Sequence, residues 1–167
     1  MAGFFVVMGV SGSGKTTVGQ ALAGRLNCPF YDGDDFHPPA NVAKMASGTP
    51  LNDADRAPWL ARLAELLENH VGKGETAVLA CSALKQTYRE QLRVSPNVQF
   101  VYLAGSFDLI WQRMSARADH YMKADMLCSQ FATLEPPNVG EARWVTIDQS
   151  VEAIVDQIVS AHREKEA

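Results

Sequence analysis

A chain of 167 residues with 47% hydrophobic and 20% charged residues has the size and composition of one soluble globular domain. A net charge of −4 argues against a broad surface for nucleic acid or for an anionic membrane, so any bound phosphate is held by a local cluster of groups. The three cysteines are far apart and no stretch is long and apolar enough to cross a bilayer, which predicts a reduced protein of the cytoplasm.

The first half of the chain alternates predicted strands and helices. The apolar run Phe4–Met8 predicts a buried strand, and apolar residues at helical spacing predict a helix from about Lys15 to Leu26. A short second strand at residues 30–31 ends at an acidic cluster, and a short helix is predicted over residues 38–46. The amphipathic stretch LNDADRAPWLARLAELLENHVGKG then predicts a long helix.

The second half continues the alternation. It predicts, in order, a strand at Thr76–Ala80, a helix over residues 85–93, a strand at Val98–Leu103, a helix at Asp108–Arg117, a strand at Arg143–Ile147 and a helix at Val151–His162. The polar, Met-rich segment 118–138 has no firm assignment. Strands that alternate with helices predict an α/β fold over residues 1–167, with a mostly parallel sheet and helices on both faces.

The stretch GVSGSGKT matches the phosphate-binding pattern G-x-x-x-x-G-K-[ST] at every fixed position, between a predicted strand and a predicted helix. Glycines let the backbone wrap closely around phosphate, and the helix N-terminus adds free N–H groups. Lys15 can reach the β and γ phosphates, and the Thr16 hydroxyl can bind Mg²⁺. The predicted ATP site, including the next helical residue, is Gly9, Val10, Ser11, Gly12, Ser13, Gly14, Lys15, Thr16 and Thr17.

The stretch FYDGDDFHPP places three carboxylates, Asp32, Asp34 and Asp35, at the end of the second predicted strand. In an open parallel sheet this end lies on the same rim as the phosphate loop. One carboxylate can hold Mg²⁺, and a second can accept a proton from an attacking hydroxyl. The alternative is a solvated turn, in which Asp and Gly are ordinary residues.

Other sequence features restrict the class of nucleotide-binding protein. No guanine-reading N-K-x-D is present, which argues against a GTPase switch. The third and fourth predicted strands do not end in Asp or Glu, and the chain is too short for a further machine domain, which argues against an ATP-driven motor. A small-molecule kinase is the class that the sequence favours.

The motifs D-G-D-x-x-H-P, G-x-P-L-N-D-x-D-R-x-P-W-L and C-S-A-L-K-x-x-Y-R, together with SQFATLEPP, resemble those of the gluconate kinases (gluconokinases) from Gly9 to Pro137. The resemblance implies a nucleoside-monophosphate-kinase-like fold with a lid, ATP-dependent phosphorylation of D-gluconate with Mg²⁺, and a homodimer. It assigns Asp34 to the 6-hydroxyl of gluconate and Asp32 to Mg²⁺, and it leaves Asp35 solvated.

The same resemblance suggests further substrate contacts. His37 could hydrogen-bond a substrate hydroxyl, although a loop or capping histidine is the alternative. Gluconate is an anion, so its site needs a cation, and an arginine can grip a carboxylate with two hydrogen bonds. The candidates, each of which could instead be a surface charge, are Lys44, Arg56, Lys85 and Arg89.

The segment 118–138 corresponds to the lid that the resemblance implies. Arg113 and Arg117 lie just before it and could meet the phosphates when the lid closes, or could be an ordinary basic helix end. Asp119 stands where the family pattern suggests Gly, which places a negative charge near phosphate. The alternatives that remain are a kinase of the same fold acting on shikimate, a nucleotide or another sugar acid, and a nucleotide-binding regulator without turnover.

Overall fold

The computed structural model describes residues 3–115 and 124–166. Within these residues, five parallel strands form one sheet in the order β2-β3-β1-β4-β5. The strands are β1 (Phe4–Met8), β2 (Phe30–Asp32), β3 (Ala77–Ala80), β4 (Val98–Ala104) and β5 (Ala142–Thr146). The helices are α1 (Lys15–Leu26), α2 (Pro39–Ala46), α3 (Asp53–Gly72), α4 (Gln86–Leu92), α5 (Phe107–Ser115), α6 (Ala124–Thr133) and α7 (Val151–Glu166), with a 3₁₀ turn at Gly33–Phe36.

Helices cover both faces of the sheet. Successive strand residues point to opposite sides, so one apolar strand contributes to a core on each face. In β1, Phe5 and Val7 pack into a core with apolar residues of α1, α5, α6 and α7. Phe4, Val6 and Met8 pack into a second core with apolar residues of α3 and α4. This three-layer arrangement confirms the predicted α/β fold with a parallel sheet.

Helices α1 and α3 begin in different ways. Helix α1 begins at Gly14, which has a left-handed φ of 97° and provides no side-chain cap, so its first N–H groups face the phosphate loop. Helix α3 begins at a capping box, in which Asn52 accepts from the Asp55 N–H and Asp55 accepts from the Asn52 N–H. Asn52 is therefore the N-cap of α3.

The largest difference from the predicted elements lies in segment 118–138. Helix α6 occupies Ala124–Thr133 within this segment, and Leu127 is buried in the first core. The final helix is also longer than predicted and continues to Glu166. Among residues 3–115 and 124–166, no helix combines the length and apolar character that a membrane span requires.

Candidate active site

The predicted site motifs meet at the carboxyl ends of β1, β2 and β3. Two cavities of about 360 and 390 Å³ lie on this rim. The first, here called the loop cavity, follows the phosphate loop and is lined in part by Gly12, Thr16, Asp32 and Arg113. The second, here called the acceptor cavity, is lined in part by His37, Arg56, Trp59 and Gln130.

The two cavities share Ser11, Lys15 and Asp34 in their walls. A group held in one cavity can therefore approach a group held in the other at these three residues. A further cavity of about 400 Å³ lies at the amino ends of β4 and β5 and contains none of the predicted site residues.

The phosphate loop has the backbone shape that its glycines predict. Gly12 has a φ of 81°, and a Cβ added there would lie 2.6 Å from the side chain of Met114 on α5. The Ser13 hydroxyl is buried and has no hydrogen-bond partner among the described residues. Lys15 Nζ donates to the carbonyl of Val10 at 3.0 Å. Burial lowers the pKa of Lys15, whereas the nearby charge of Asp34 raises it.

Thr16 and Asp32 bring two oxygen groups close together between the loop and the acidic cluster. The Thr16 hydroxyl lies 3.5 Å from Asp32 Oδ2, and Asp32 Oδ1 accepts from the Asp34 N–H at 3.0 Å. Among residues 3–115 and 124–166, no three His, Cys, Asp or Glu side chains gather as a metal cluster. A Mg²⁺ ion here would therefore take Thr16 and Asp32 from the protein and its remaining oxygen ligands from phosphate and water.

Asp34 lies on the 3₁₀ turn and borders both cavities. Its side chain is 83% exposed and lies in the walls of both cavities. The pKa of the carboxyl is raised by partial desolvation and then by the charge of Asp32, whereas Lys15 and His37 oppose the shift. A raised pKa makes the ionised carboxylate a stronger base.

A stack of two rings supports this turn. The His37 ring lies on Trp59 of α3, with the ring centres 4.3 Å apart and the planes 15° from parallel. Trp59 Nε1–H donates to the carbonyl of Gly33 at 2.7 Å. A Cβ at Gly33 would lie 2.7 Å from the carbonyl oxygen of Ala80, so the D-G-D motif needs glycine at its centre.

The four candidate cations have different surroundings. Arg56 lines the acceptor cavity, and its guanidinium donates to the Tyr88 hydroxyl at 3.0 Å. Lys44 is paired with Asp55 at 2.6 Å, and Lys85 is paired with Asp53 at 2.9 Å. Of the four, Arg56 alone borders the acceptor cavity.

Arg89 is 1% exposed and lies away from both cavities. Its Nε is 3.2 Å from Glu141 Oε2. Its Nη atoms donate to the backbone carbonyls of Ala83, Leu84 and Glu135. These contacts occupy the guanidinium with the protein itself and give Arg89 a structural setting.

Of the two arginines that precede the predicted lid, Arg113 lies within the described residues. Arg113 borders the loop cavity, and its Nη2 donates to the carbonyl of Ile147 at 2.5 Å. Arg117 and Asp119 lie outside the described residues.

Sequence reasoning missed a contact between α6 and the phosphate loop. Gln130 Oε1 accepts from the Ser11 N–H at 2.7 Å, and Gln130 Nε2 donates to the Ser11 hydroxyl at 2.8 Å. Gln130 belongs to the SQFATLEPP motif, which was the one available signal for its importance. Sequence reasoning also missed Asp53 and Asp55, which hold the two lysines.

This chain is similar in sequence and in fold to known kinases. The family model described as shikimate kinase matches residues 11–163. Gluconokinase of Gluconobacter oxydans (strain 621H) is 53% identical over 83% of this chain and 78% of its own length. The crystal structure of a gluconokinase from Sinorhizobium meliloti 1021 has a TM-score of 0.85 and 43% identity, covering 92% of this chain and 87% of that chain. A shikimate kinase from Bacteroides thetaiotaomicron, at 20% identity, a TM-score of 0.71, and coverage of 96% of this chain and 98% of its own, shares the fold alone.

Proposed function

This chain belongs to the gluconokinases, within the group that the shikimate kinase family model matches, and we propose that it transfers the γ-phosphoryl group of ATP to the 6-hydroxyl of D-gluconate. The observation that carries the proposal is the meeting of the loop cavity and the acceptor cavity at Ser11, Lys15 and Asp34. An in-line transfer needs donor and acceptor at such a junction.

The donor side rests on the phosphate loop. The phosphate loop from Gly9 to Thr17 holds the phosphates of ATP, with the backbone N–H groups at the start of α1 as donors. Lys15 offsets the charge of the transferring phosphoryl group. Thr16 and Asp32 hold Mg²⁺, which supplies further positive charge at the phosphates. The free N-terminus of α1 and the 3.5 Å approach of Thr16 to Asp32 support these roles.

The acceptor side rests on Asp34 and its neighbours. Asp34 accepts the proton of the attacking hydroxyl, and His37 hydrogen-bonds the acceptor beside it. Support comes from the position of Asp34 between the cavities and from its raised pKa. Arg56 is the cation that we assign to the gluconate carboxylate, because Lys44 and Lys85 are paired with carboxylates and Arg89 is buried among carbonyls.

Arg113 and Arg117, which lie just before the lid segment 118–138, are proposed to meet the phosphates of ATP when the lid closes. A contact made only on closure contributes to the transition state more than to ATP binding. The matching test is Arg117→Ala, which should lower kcat more than it weakens ATP binding. Equal effects on both would indicate a contact that is already present before closure.

Assembly and location extend the same proposal. We propose a homodimer in the cytoplasm that binds neither nucleic acid nor membranes, on the family resemblance and on the net charge of −4. The free cysteines among the described residues, Cys28, Cys81 and Cys128, agree with a reducing compartment. Light scattering after size exclusion would measure the mass, and a single 18.2 kDa species would contradict the dimer.

The decisive experiment measures ADP release with a panel of acceptors that includes D-gluconate, other sugar acids, shikimate and nucleotides. We expect turnover with gluconate, and ³¹P NMR should identify a phosphomonoester at its 6-position. Lys15→Met is the matched inactive control, because Lys15 lies at the junction of loop and helix and its loss should leave the fold intact.

Each of the other outcomes would indicate a different class of protein or a different nucleotide site. Turnover with shikimate or a nucleotide instead of gluconate would indicate another kinase of the same fold. ATP binding without turnover on any acceptor would indicate a regulator. Turnover by Lys15→Met at the level of the unmodified protein would contradict the assignment of the nucleotide site.

A further inference from the structure

We propose that Asn41 is a positioning residue that holds His37 as the Nε2–H tautomer, so that a neutral imidazole presents one hydrogen-bond donor to the phosphoryl acceptor beside Asp34. The proposal rests on the proposed function for the identity of that acceptor. The tautomer itself follows from contacts among the described residues.

The first step is the orientation of the Asn41 amide. Asn41 lies on α2 and is 4% exposed. Its Nδ2 lies 2.8 Å from the backbone carbonyl oxygen of Asp55. A carbonyl oxygen can only accept a hydrogen bond, so the amide atom that faces it must be the NH₂ group. The contact with the backbone therefore fixes which way the Asn41 side chain points.

The second step is the proton of the His37 ring. The same Asn41 Nδ2 lies 3.2 Å from His37 Nδ1. An NH₂ group has two protons and no acceptor site, so its second proton points to Nδ1 and requires a lone pair there. A neutral imidazole carries one proton, which must then be on Nε2.

The third step is the charge state of the ring. His37 is 8% exposed, and its pKa is lowered by burial and by the charge of Arg56, although Asp34 opposes this shift. The Asn41 amide on α2 and the stacked Trp59 ring on α3 are neutral contacts of the ring, and Arg56, also on α3, is a positive charge that disfavours a protonated ring. The ring is therefore neutral near pH 7.

The fourth step is the direction of the donor. His37 Nε2 lies 4.0 Å from Asp34 Oδ1, and both residues line the acceptor cavity. An acceptor hydroxyl between them would receive a hydrogen bond from His37 Nε2–H at its oxygen and give its own proton to the Asp34 carboxylate. The opposite tautomer would present a lone pair at Nε2 and compete with Asp34 for that proton. By fixing the tautomer, Asn41 thus makes His37 the hydrogen-bond donor and leaves Asp34 as the base at the acceptor hydroxyl.

The tautomer can be measured without any turnover. In protein labelled with ¹⁵N-histidine, long-range ¹H–¹⁵N correlation distinguishes Nδ1–H from Nε2–H, and His37→Gln identifies the His37 signals. We expect the Nε2–H pattern for His37 near pH 7. An Nδ1–H pattern or a charged ring in the unmodified protein would overturn the proposal, whereas loss of gluconate turnover alone would overturn only the proposed function.

Substitution of Asn41 tests its part in this arrangement. In Asn41→Asp a carboxylate replaces the NH₂ donor, so we expect His37 to gain a proton at Nδ1, and its pKa to rise. The acid limb of the kcat profile should move to higher pH. Asn97→Asp, on an exposed loop, is the matched control and should leave the His37 signals unchanged. An unchanged His37 tautomer in Asn41→Asp would contradict the proposal.

Two substitutions of His37 keep the test independent of the folding of Asn41→Asp. The side-chain nitrogen of Gln reaches the position of imidazole Nε2, whereas that of Asn reaches the position of Nδ1. We expect His37→Gln to keep kcat within roughly tenfold of the unmodified protein, the value of one hydrogen bond, and His37→Asn to lose more. Equal losses, or a smaller loss in His37→Asn, would overturn the role of Nε2–H as donor.

Discussion

The three aspartates of the FYDGDDFHPP stretch have three different environments. Asp32 ends β2, receives the N–H of Asp34 and faces Thr16. Asp34 borders both cavities, whereas Asp35 is exposed beside them and lines neither. Three aspartates within four positions are therefore proposed to have three different roles: Asp32 is a metal ligand, Asp34 is a base and Asp35 is a solvated charge.

Single substitutions of these aspartates should separate the roles. Asp34→Asn keeps the shape of the side chain but cannot accept a proton, so we expect kcat to fall about 10²–10⁴-fold. Asp32→Asn should raise the Mg²⁺ requirement, with partial rescue at high Mg²⁺. Asp35→Asn is the matched control. If Asp35→Asn were inactive while Asp34→Asn kept its activity, the base would have to be reassigned.

Asp34→Asn should also stabilise the unliganded protein. A carboxyl whose pKa is raised on folding contributes stability below its ordinary value of 3.8, and this contribution is lost as the pH rises through the folded pKa. At pH 7 the ionised Asp34 therefore disfavours the folded state, and its neutral isostere removes this effect. We expect a higher Tm for Asp34→Asn at pH 7 and a smaller gain near pH 3, measured against Asp35→Asn. A lower Tm at pH 7 would contradict the raised pKa.

At the scale of secondary-structure elements, Arg89 connects α4 to the loop after β3 and to the chain before β5. Its guanidinium is buried and paired, and loss of one partner of a buried ion pair typically costs about 3–5 kcal/mol. We expect Arg89→Met to lower the free energy of unfolding by an amount of this order, measured by urea denaturation. A residue that binds substrate would instead raise the KM for gluconate with little change in stability.

Helix α6 is joined to the phosphate loop by the two hydrogen bonds between Gln130 and Ser11. Ser11 borders both cavities, so loss of these bonds should loosen the loop at the proposed place of phosphoryl transfer. We expect Gln130→Ala to lower kcat by about tenfold or more, because each bond contributes about 0.5–1.5 kcal/mol. Gln157→Ala, at an exposed position of α7, is the matched control. Equal kcat values for the two variants would leave Gln130 without a role in transfer.

Local patterns predicted most of the elements but not α6. The apolar spacing of α1 and of α3, and the capping box of α3, lie within their own sequences, so these helices were predicted closely. Helix α6 packs Leu127 into the core and hydrogen-bonds Ser11 through Gln130. Its position thus depends on contacts with residues more than one hundred positions away, which no local pattern contains.

The site was predictable to the same extent. The phosphate loop and the acidic motif are local patterns, so the nearness of Thr16 and Asp32 could be predicted from strand ends. The four candidate cations could not be ranked, because their partners lie on other elements: Lys44 meets Asp55, and Lys85 meets Asp53 across 32 positions. Lys44, Lys85 and Arg89 each pair with a carboxylate on another part of the chain, and this pairing distinguishes them from Arg56.

At the scale of the whole molecule, the order of the strands in the sheet differs from their order in the sequence. β1 is central and pairs with β3 and β4, whose partners for Phe4 are Ala77 and Val98. The strand that carries the phosphate loop is thus the first to be synthesised, whereas both of its neighbours are synthesised much later.

On the ribosome this order leaves a fully apolar segment, FFVVM, without a partner while more than seventy further residues are added. At about 5–20 residues per second, the wait for the second neighbour lasts roughly 5–20 seconds. Such a segment is a target for chaperones and for aggregation in the meantime. We expect protease protection of stalled nascent chains to begin only after β4 has left the exit tunnel. Protection of chains that end before β3 would show that the amino-terminal half folds by itself.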